Sequence, residues 1–295
     1  MKLIVQPDDG LAPLVRAVER AATSIDIVIF RFDRAELEGA LEAAVARGVT
    51  VRALIAHTNR GGEKSLRKLE QRLLDAGVTV ARTADDLPRY HGKMLIADHV
   101  LHVLGFNYTK LDIEKSRSFG IVTREQALVK EAHALFEADR TRQPYAPSNP
   151  RLVVSPETSR EALTAFIRGA RRQLLIYDAQ VTDNLMQRVL QDRARRGVEI
   201  RIIGKLEKAI QGVEVRRLPA LRLHVRAMIR DGRAGFVGSQ SLRRLELDGR
   251  REVGMIFTDA RTAKKMQSVF ERDWARAGGP GTSASADGPT AAASA

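Results

Sequence analysis

Short apolar runs alternate along this chain with stretches in which apolar residues recur at helical spacing. The runs IDIVIF (25–30) and QLLIYD (173–178) have the length of strands. The runs VTVRALIA and VEIRIIGK, further along each half, have the same character. Strands that alternate with helices are typical of βαβ units. The pattern therefore predicts an α/β fold in which helices cover a sheet.

A glycine follows each of the two helical stretches that lie between these runs. The first stretch covers 37–47 and precedes Gly48, and the second covers 185–196 and precedes Gly197. Glycine adopts a left-handed backbone without steric cost, which suits the residue just after a helix. We therefore predict that both helices end at these glycines.

The two halves of the chain match each other at both ends. VQPDDG (5–10) aligns with VSPETS (154–159), and GIVTREQALVKEAHALFEAD (120–139) aligns without a gap with GMIFTDARTAKKMQSVFERD (254–273). Repeats of this kind change the expected fold, because each copy is one structural unit. The sequence therefore predicts two diverged copies of one α/β unit.

Breaks in the pattern set the predicted limits of the two copies. The proline-rich segment QPYAPSNP (143–150) separates helix-like from strand-like sequence. We place one half at 1–145 and the other at 151–277. The remaining segment, 278–295, contains mostly small and helix-breaking residues. It has too little apolar surface to offset the entropy of ordering, so we predict a disordered tail.

Composition narrows the possible chemistry and partners. The chain has no cysteine, which excludes disulfides, thiolate zinc sites and thiol redox chemistry. Its 49 Lys and Arg against 36 Asp and Glu give a formal charge of +13, which favours nucleic acid or an anionic membrane surface as partner. We find no signal peptide, and the apolar runs are shorter than the roughly 20 residues of a membrane-spanning helix. A cytoplasmic location is expected.

Each half carries the same spacing of a histidine, a cation and an aspartate, in YHGKMLIAD and LHVRAMIRD. The residues are His91, Lys93 and Asp98 in the first half and His224, Arg226 and Asp231 in the second. Alternation along a strand places the histidine and the cation on one face. An imidazole beside a cation suits a phosphate or another oxyanion.

The duplicated motif His-x-Lys-x4-Asp, followed by a turn similar to Gly-Ser-x-Asn, resembles the phospholipase D superfamily over nearly all of residues 1–275. The resemblance implies two tandem pseudo-symmetric units, each a β-sheet flanked by helices, with the active site at their interface. It also implies that one motif histidine attacks phosphorus to form a phosphohistidine and the other protonates the leaving oxygen. No metal or cofactor is implied, and one chain supplies both motifs, so a monomer is sufficient.

The sequence departs from the family pattern in both halves. Arg226 stands where the family has lysine, and guanidinium and ammonium groups are not interchangeable. The turn LGFN keeps Asn107 but has Gly105 in place of serine, and the turn GSQS keeps Ser239 but has Ser241 in place of asparagine. We expect Asn107, Ser239 and Ser241 to bind the substrate phosphate.

The family also places an acid about 28 positions beyond the histidine, where it orients the imidazole. Glu252 stands 28 positions after His224, whereas the first-half counterpart is Ser118. One half therefore keeps the lysine and the other keeps the acid. The resemblance favours His91 as nucleophile, but Glu252 favours His224, so the order stays open. A decayed site that binds phosphate without turnover is the alternative.

Substrate choice lies between phospholipids and nucleic acids. The segment Arg216–Arg251 contains ten arginines, which suit either polyanion. Aromatic residues make up only 5% of the chain, which disfavours a groove that stacks bases. The lack of a transmembrane anchor argues against a typical cardiolipin synthase. We favour a phospholipase D-like hydrolase or transferase of phospholipids, with an endonuclease of the same superfamily as the alternative.

Overall fold

The computed structural model describes residues 1–58 and 62–278. Nearly all of the segment predicted to be a disordered tail, 278–295, lies outside the described residues. The first half contains β1 (Lys2–Gln6), α1 (Ala12–Arg20), β2 (Ser24–Ile29), α2 (Ala35–Ala46), β3 (Thr50–Ile55), α3 (Gly62–Asp75), β4 (Thr79–Arg82), β5 (Met94–Ala97), β6 (Val100–Leu104), α4 (Lys110–Glu114), β7 (Ser116–Thr123) and α5 (Gln126–Thr141).

The second half repeats this series after a connection at 142–151. It contains β8 (Leu152–Ser155), α6 (Ser159–Arg168), β9 (Gln173–Val181), α7 (Asn184–Arg195), β10 (Glu199–Leu206), β11 (Val213–Arg216), β12 (Arg222–Leu223), β13 (Arg226–Arg230), β14 (Ala234–Gly238), α8 (Arg244–Asp248), β15 (Glu252–Phe257) and α9 (Ala260–Arg276). In the described residues, no helix is both long and apolar enough to cross a membrane.

The two halves have the same sheet topology. The first sheet runs β1-β7-β6-β5-β2-β3-β4, and the second runs β8-β15-β14-β13-β9-β10-β11. In each, the strand that follows the motif histidine, β5 or β13, lies antiparallel to β2 or β9 at the centre of the sheet. The predicted duplicated α/β fold is confirmed. A difference is that α3 joins β3 to β4, whereas residues 207–212 join β10 to β11 without a helix.

Local sequence accounts for several of the helix ends. Gly48 and Gly197 have φ angles of 85° and 81°, and they lie two residues beyond the ends of α2 and α7, which confirms the prediction for both. The Asp183 carboxylate accepts from Met186 N at the start of α7. Thr109 caps α4 in the same manner. A side-chain acceptor at this position satisfies a backbone N–H that the helix itself leaves free.

A hydrophobic core shared by both halves lies between the two sheets. It includes the fully buried rings of Phe119, Tyr177 and Phe270, which contact one another at centroid distances of 5.4 and 5.0 Å. Burial of each such side chain stabilises the fold by about 1.5–3 kcal/mol. The halves are therefore held together by a common interior.

Backbone hydrogen bonds also cross between the halves, in reciprocal pairs. His91 N donates to Arg251 O at 2.7 Å, and His224 N donates to Arg117 O at 3.3 Å. The short strand β12, just before His224, pairs with β7 of the first sheet. Each motif histidine is therefore held against the first residues of a strand from the other half.

Candidate active site at the junction of the halves

The His91 imidazole is held at both ring nitrogens. Its Nδ1 lies 2.8 Å from Oε2 of Glu252, and its Nε2 lies 2.8 Å from Nζ of Lys93. The carboxylate can only accept, so we assign the ring proton to Nδ1, which leaves the Nε2 lone pair facing Lys93. The edge of the Phe30 ring packs on the imidazole at 4.5 Å between centroids. These contacts fix the orientation of the ring, with the Nε2 lone pair directed at the Lys93 ammonium group.

Burial and nearby cations keep His91 neutral. The pKa of His91 is well below its usual value because the ring is buried and because Lys93 and Arg226 lie close to it. Burial also lowers the pKa of Lys93, to about 7. Burial raises the pKa of Glu252, whereas Lys93 and Ser239 oppose the rise. The imidazole is therefore an uncharged base at neutral pH.

The expected partner of Glu252 was wrong. The sequence spacing assigned Glu252 to His224 of its own half, but the carboxylate bonds His91 of the other half. The cause is the strand pairing between halves, because Arg251 O binds His91 N and so places the next residue beside the His91 ring. The lysine and the acid therefore serve the same imidazole. In the sequence, the lysine is kept in one half and the acid in the other. In the structure, Lys93 and Glu252 both contact the His91 ring.

His224 has a weaker orienting acid. Ser118 follows Arg117, whose carbonyl binds His224 N, but the Ser118 hydroxyl is buried without a hydrogen-bond partner among the described residues. Instead, Oδ2 of Asp112 lies 3.3 Å from Nδ1 of His224, without the alignment of a hydrogen bond. The pKa of His224 is well below its usual value, mainly because the ring is buried and also because the charge of Arg226 lies close to it.

Asp112 was not identified from the sequence. It lies on α4, where the backbone N–H and side-chain amide of Asn107 donate to it at 2.9 and 2.6 Å and Arg222 donates at 2.5 Å. Burial tends to raise the pKa of Asp112, but His224, Asn107 and Arg222 lower it overall. The repeat carries a sign of this acid, because Glu246 occupies the position on α8 that matches Asp112 on α4.

Arg226 lies close enough to both imidazoles to lower the pKa of each. Its Nε lies 3.3 Å from Oγ of Ser241, and its buried Nη1 has no hydrogen-bond partner among the described residues. Ser241 in turn donates to Asp178 at 2.7 Å. The guanidinium is thus fixed at one side with a free donor, which suits an anion.

The three residues predicted to bind phosphate contact charged residues of the site. Asn107 bonds Asp112, and Ser241 joins Arg226 to Asp178. Ser239 bonds the backbone of Val253 and lies beside Glu252. Their observed contacts position charged groups of the site.

The motif aspartates lie away from the imidazoles, at the opposite ends of β5 and β13. Asp98 accepts from the backbone N–H groups of Ala22 and Thr23, both at 2.9 Å, and Asp231 accepts from the backbone of residues 171–173. Both adopt a left-handed backbone, with φ of 51° and 54°. The sequence placed these aspartates among the expected catalytic residues. In the structure, they bind the turn that leads into β2 or β9. They fix the far ends of β5 and β13. These strands begin at Met94 and Arg226, so the expectation that each motif histidine lies on the strand was wrong.

Buried ion pairs between the halves fix the segments that meet the histidines. Arg117 donates to Asp273 at 2.7 and 3.1 Å, and Arg251 donates to Asp139 at 3.1 Å. Asp139 and Asp273 are the matched residues that end the aligned segments of the two halves. Arg117 and Arg251 directly precede Ser118 and Glu252. These pairs therefore set where the orienting positions lie.

The ten arginines of Arg216–Arg251 do not form one patch. Arg216 lies over Trp274 at 4.4 Å, Arg230 lies over Phe166 at 4.7 Å, and Arg251 is buried. Others, such as Arg222 and Arg226, lie at the site. Part of the positive charge is therefore used in packing.

Comparison with known proteins supplies the family and the fold. The model of the family described as "Cardiolipin synthase, PLD-like domain" matches residues 14–140 and 163–274. No curated protein sequence matches the chain. The structure is similar to polyphosphate kinase from Porphyromonas gingivalis, with a TM-score of 0.76 and 19% identity over 92% of this chain and 50% of that one. This chain thus spans half of that enzyme's length.

A second similar structure is matched over most of its length. Phosphatidylserine synthase from Haemophilus influenzae Rd KW20 has a TM-score of 0.69 and 10% identity over 93% of this chain and 85% of that one. At such identities, the likeness of both structures concerns the fold.

Proposed function

Because this chain belongs to the family of cardiolipin synthase, PLD-like domains, we propose that it is a phospholipase D-type phosphodiesterase that cleaves phospholipids through a phosphohistidine on His91. One observation carries the proposal. The His91 ring has a carboxylate at Nδ1 and an ammonium group at Nε2, both at 2.8 Å, in a buried site.

The first step forms the bond between His91 and phosphorus. A phosphodiester draws the Lys93 ammonium away from Nε2, because a charged phosphate oxygen is a stronger acceptor than a neutral imidazole. Nε2 then attacks phosphorus, and the bond from phosphorus to the leaving alcohol oxygen breaks. His224, as imidazolium, gives its proton to that oxygen. Glu252 stabilises the positive charge that develops on the His91 ring.

The second step releases the phosphoryl group. Neutral His224 accepts a proton from water, the water oxygen bonds to phosphorus, and the bond between phosphorus and Nε2 breaks. His91 and protonated His224 are thereby restored. An alcohol in place of water gives transfer instead of hydrolysis. Throughout, Lys93 and the free Nη1 of Arg226 lie where they can stabilise the phosphoryl oxygens.

Proton uptake by His224 accompanies substrate binding. Burial and Arg226 keep the pKa of His224 low in the free protein. A bound phosphate anion offsets the charge of Arg226 and Lys93 and so raises the pKa of His224. The general acid is therefore charged when a substrate is in place.

The contrast between the two acids supports the order of the histidines. Glu252 bonds His91 at 2.8 Å, whereas Asp112 lies 3.3 Å from His224 without alignment. A nucleophile that becomes a cation needs the stronger acceptor. A general acid must release its proton, so a weaker contact suits His224.

Variants of the two histidines test this order through the leaving group. The substrates are a phosphodiester with a p-nitrophenyl group, which departs without a proton, and one with an alkyl group, which needs one. Release of the leaving group is measured in the first turnover, before His224 acts on water. In this step we expect His224→Ala to be slow mainly on the alkyl substrate and His91→Ala to be slow on both. The exposed turn residue His99 supplies the matched control, His99→Ala, which keeps full activity. If both variants are equally slow on both substrates in this first turnover, the assignment of His91 as nucleophile and His224 as general acid is wrong.

The substrate class is tested separately. The full chain is incubated with phosphatidylglycerol or phosphatidylcholine vesicles, and in parallel with single- and double-stranded DNA. The phosphohistidine, which is stable in alkali and labile in acid, is mapped by mass spectrometry. We expect lipid cleavage that is lost in His91→Ala and a phosphatidyl group bound through phosphorus to His91. DNA cleavage with intact lipid would make the chain a nuclease of the same family. Binding of either without turnover would make it a phosphate-binding protein.

A further inference from the structure

We propose that the leucines exposed on α4 and α8, Leu111 and Leu245, dock the site onto an anionic phospholipid bilayer. They are 47% and 44% exposed, among the few large hydrophobic side chains exposed in the described residues. They occupy matching positions in the two halves, in KLDIE and RLELD. The inference extends the proposed function, because it names the surface from which the substrate is drawn.

Both leucines adjoin the site. Leu111 directly precedes Asp112, whose carboxylate lies 3.3 Å from the His224 ring. Leu245 directly precedes Glu246, a carboxylate close enough to His91 to raise its pKa. α4 therefore adjoins His224, and α8 adjoins His91.

The relation between the halves places the leucines at one level. The contacts between the halves are reciprocal: His91 N binds Arg251 O, and His224 N binds Arg117 O. Reciprocal contacts define an approximate two-fold axis, which passes between the two histidines. Equivalent atoms lie at equal heights along such an axis. Leu111 and Leu245 therefore lie at one level, which is the arrangement that simultaneous contact with a flat surface requires.

Charge next to the leucines favours an anionic surface. Each leucine follows an exposed cation, Lys110 or Arg244, and neither cation has an ion-pair partner among the described residues. The exposed acids on the same helices are neutralised, since Arg34 binds Glu114 at 2.6 Å and Arg160 binds the acid at the end of α8. Each helix thus presents an apolar side chain beside a free positive charge.

This combination fits a bilayer better than a nucleic acid. Leucine side chains enter the apolar interior of the lipid, while the neighbouring cations stay with the phosphates. A nucleic-acid backbone takes up the cations but offers exposed leucines no comparable apolar phase. Retention of the pattern in both halves is notable because the catalytic residues of the halves have diverged.

Vesicle binding by the full chain tests the proposal without using turnover. Co-sedimentation is measured with vesicles of phosphatidylglycerol and phosphatidylcholine for the wild-type protein and the double variant Leu111→Gln, Leu245→Gln. We expect at least a tenfold weaker affinity for the double variant, with unchanged activity on a short-chain, monomeric phosphodiester. Leu74→Gln changes a leucine that is 48% exposed near the end of α3, and it should bind vesicles like the wild type.

Other outcomes overturn the inference. Unchanged vesicle affinity in the double variant would overturn it. A change from dimer to monomer in light scattering would also overturn it, because a second copy of the chain would then cover the leucines. Reduced DNA binding in Lys110→Gln, Arg244→Gln with unchanged vesicle binding would assign the surface to nucleic acid. Leucine-dependent vesicle binding without lipid cleavage would refute the proposed function alone.

Discussion

Replacing Glu252 with glutamine removes the charge that holds His91 and preserves the size of the side chain. In the wild-type protein, Oε2 accepts from Nδ1 of His91 at 2.8 Å, and both side chains are buried. A glutamine amide can donate to Nδ1, which moves the ring proton to Nε2, the atom that must attack phosphorus. The variant also removes the anion that supports the charge of Lys93, so the pKa of Lys93 falls further.

The size of the effect follows from the hydrogen bond that is changed. A carboxylate-to-amide exchange beside a catalytic imidazole lowers kcat about 10⁴-fold. This corresponds to about 5 kcal/mol of transition-state stabilisation. We expect Glu252→Gln to lower kcat by about 10³–10⁴-fold with little change in KM, because the group orients the nucleophile and does not bind the phosphodiester.

Steady-state kinetics on a short-chain phospholipid, with circular dichroism to confirm folding, measures the loss. The matched control is Ser118→Ala, at the equivalent position of the other half, where the hydroxyl has no hydrogen-bond partner among the described residues. It should keep activity within about twofold, because a partnerless hydroxyl contributes little. The reasoning is refuted if a folded Glu252→Gln retains more than about a tenth of the wild-type kcat, or if Ser118→Ala loses as much.

Three further predictions concern the cations. Burial lowers the pKa of Lys93 to about 7, so kcat/KM should fall as the pH rises through about 7. Bound phosphate stabilises the ammonium group, so kcat should fall only at a higher pH. A flat alkaline profile would contradict this prediction. Arg226→Ala should lower kcat/KM by about 10²–10³-fold in the same assay, and unchanged kinetics would exclude it from phosphate binding. Arg117→Ala leaves the buried Asp273 without its cation, so the free energy of unfolding in urea should fall by about 3–5 kcal/mol, and a loss below about 1 kcal/mol would show that the pair does not hold the halves together.

Much of the fold and part of the site could be predicted from local pattern. Alternating strand and helix patterns gave the α/β class, the matched segments gave the duplication, and Gly48 and Gly197 marked two helix ends. These features depend on residues close together in the sequence. The pairing of β12 with β7 could not be predicted in this way, because two residues carry no periodic signal.

Contacts within the site were harder to predict than its motif. Asp98 and Asp231 belong to the motif by spacing, yet four residues of extended strand separate each from the cation, so each carboxylate reaches the next turn instead of the site. Asp112 belongs to no motif, yet α4 brings it to 3.3 Å from His224. Spacing identifies residues on one strand, but it does not say what the far end of that strand contacts.

The sequence by itself determined the two histidines, the cation two positions after each, and the position that carries an orienting acid, because both copies keep the same spacing. Only the tertiary structure decided which histidine each acid serves. Glu252 lies nearer in sequence to His224 but bonds His91, 161 positions away, because strand pairing across the shared core brings the segment at Arg251 to His91. Such a contact depends on how two sheets pack, and no spacing along the chain encodes it.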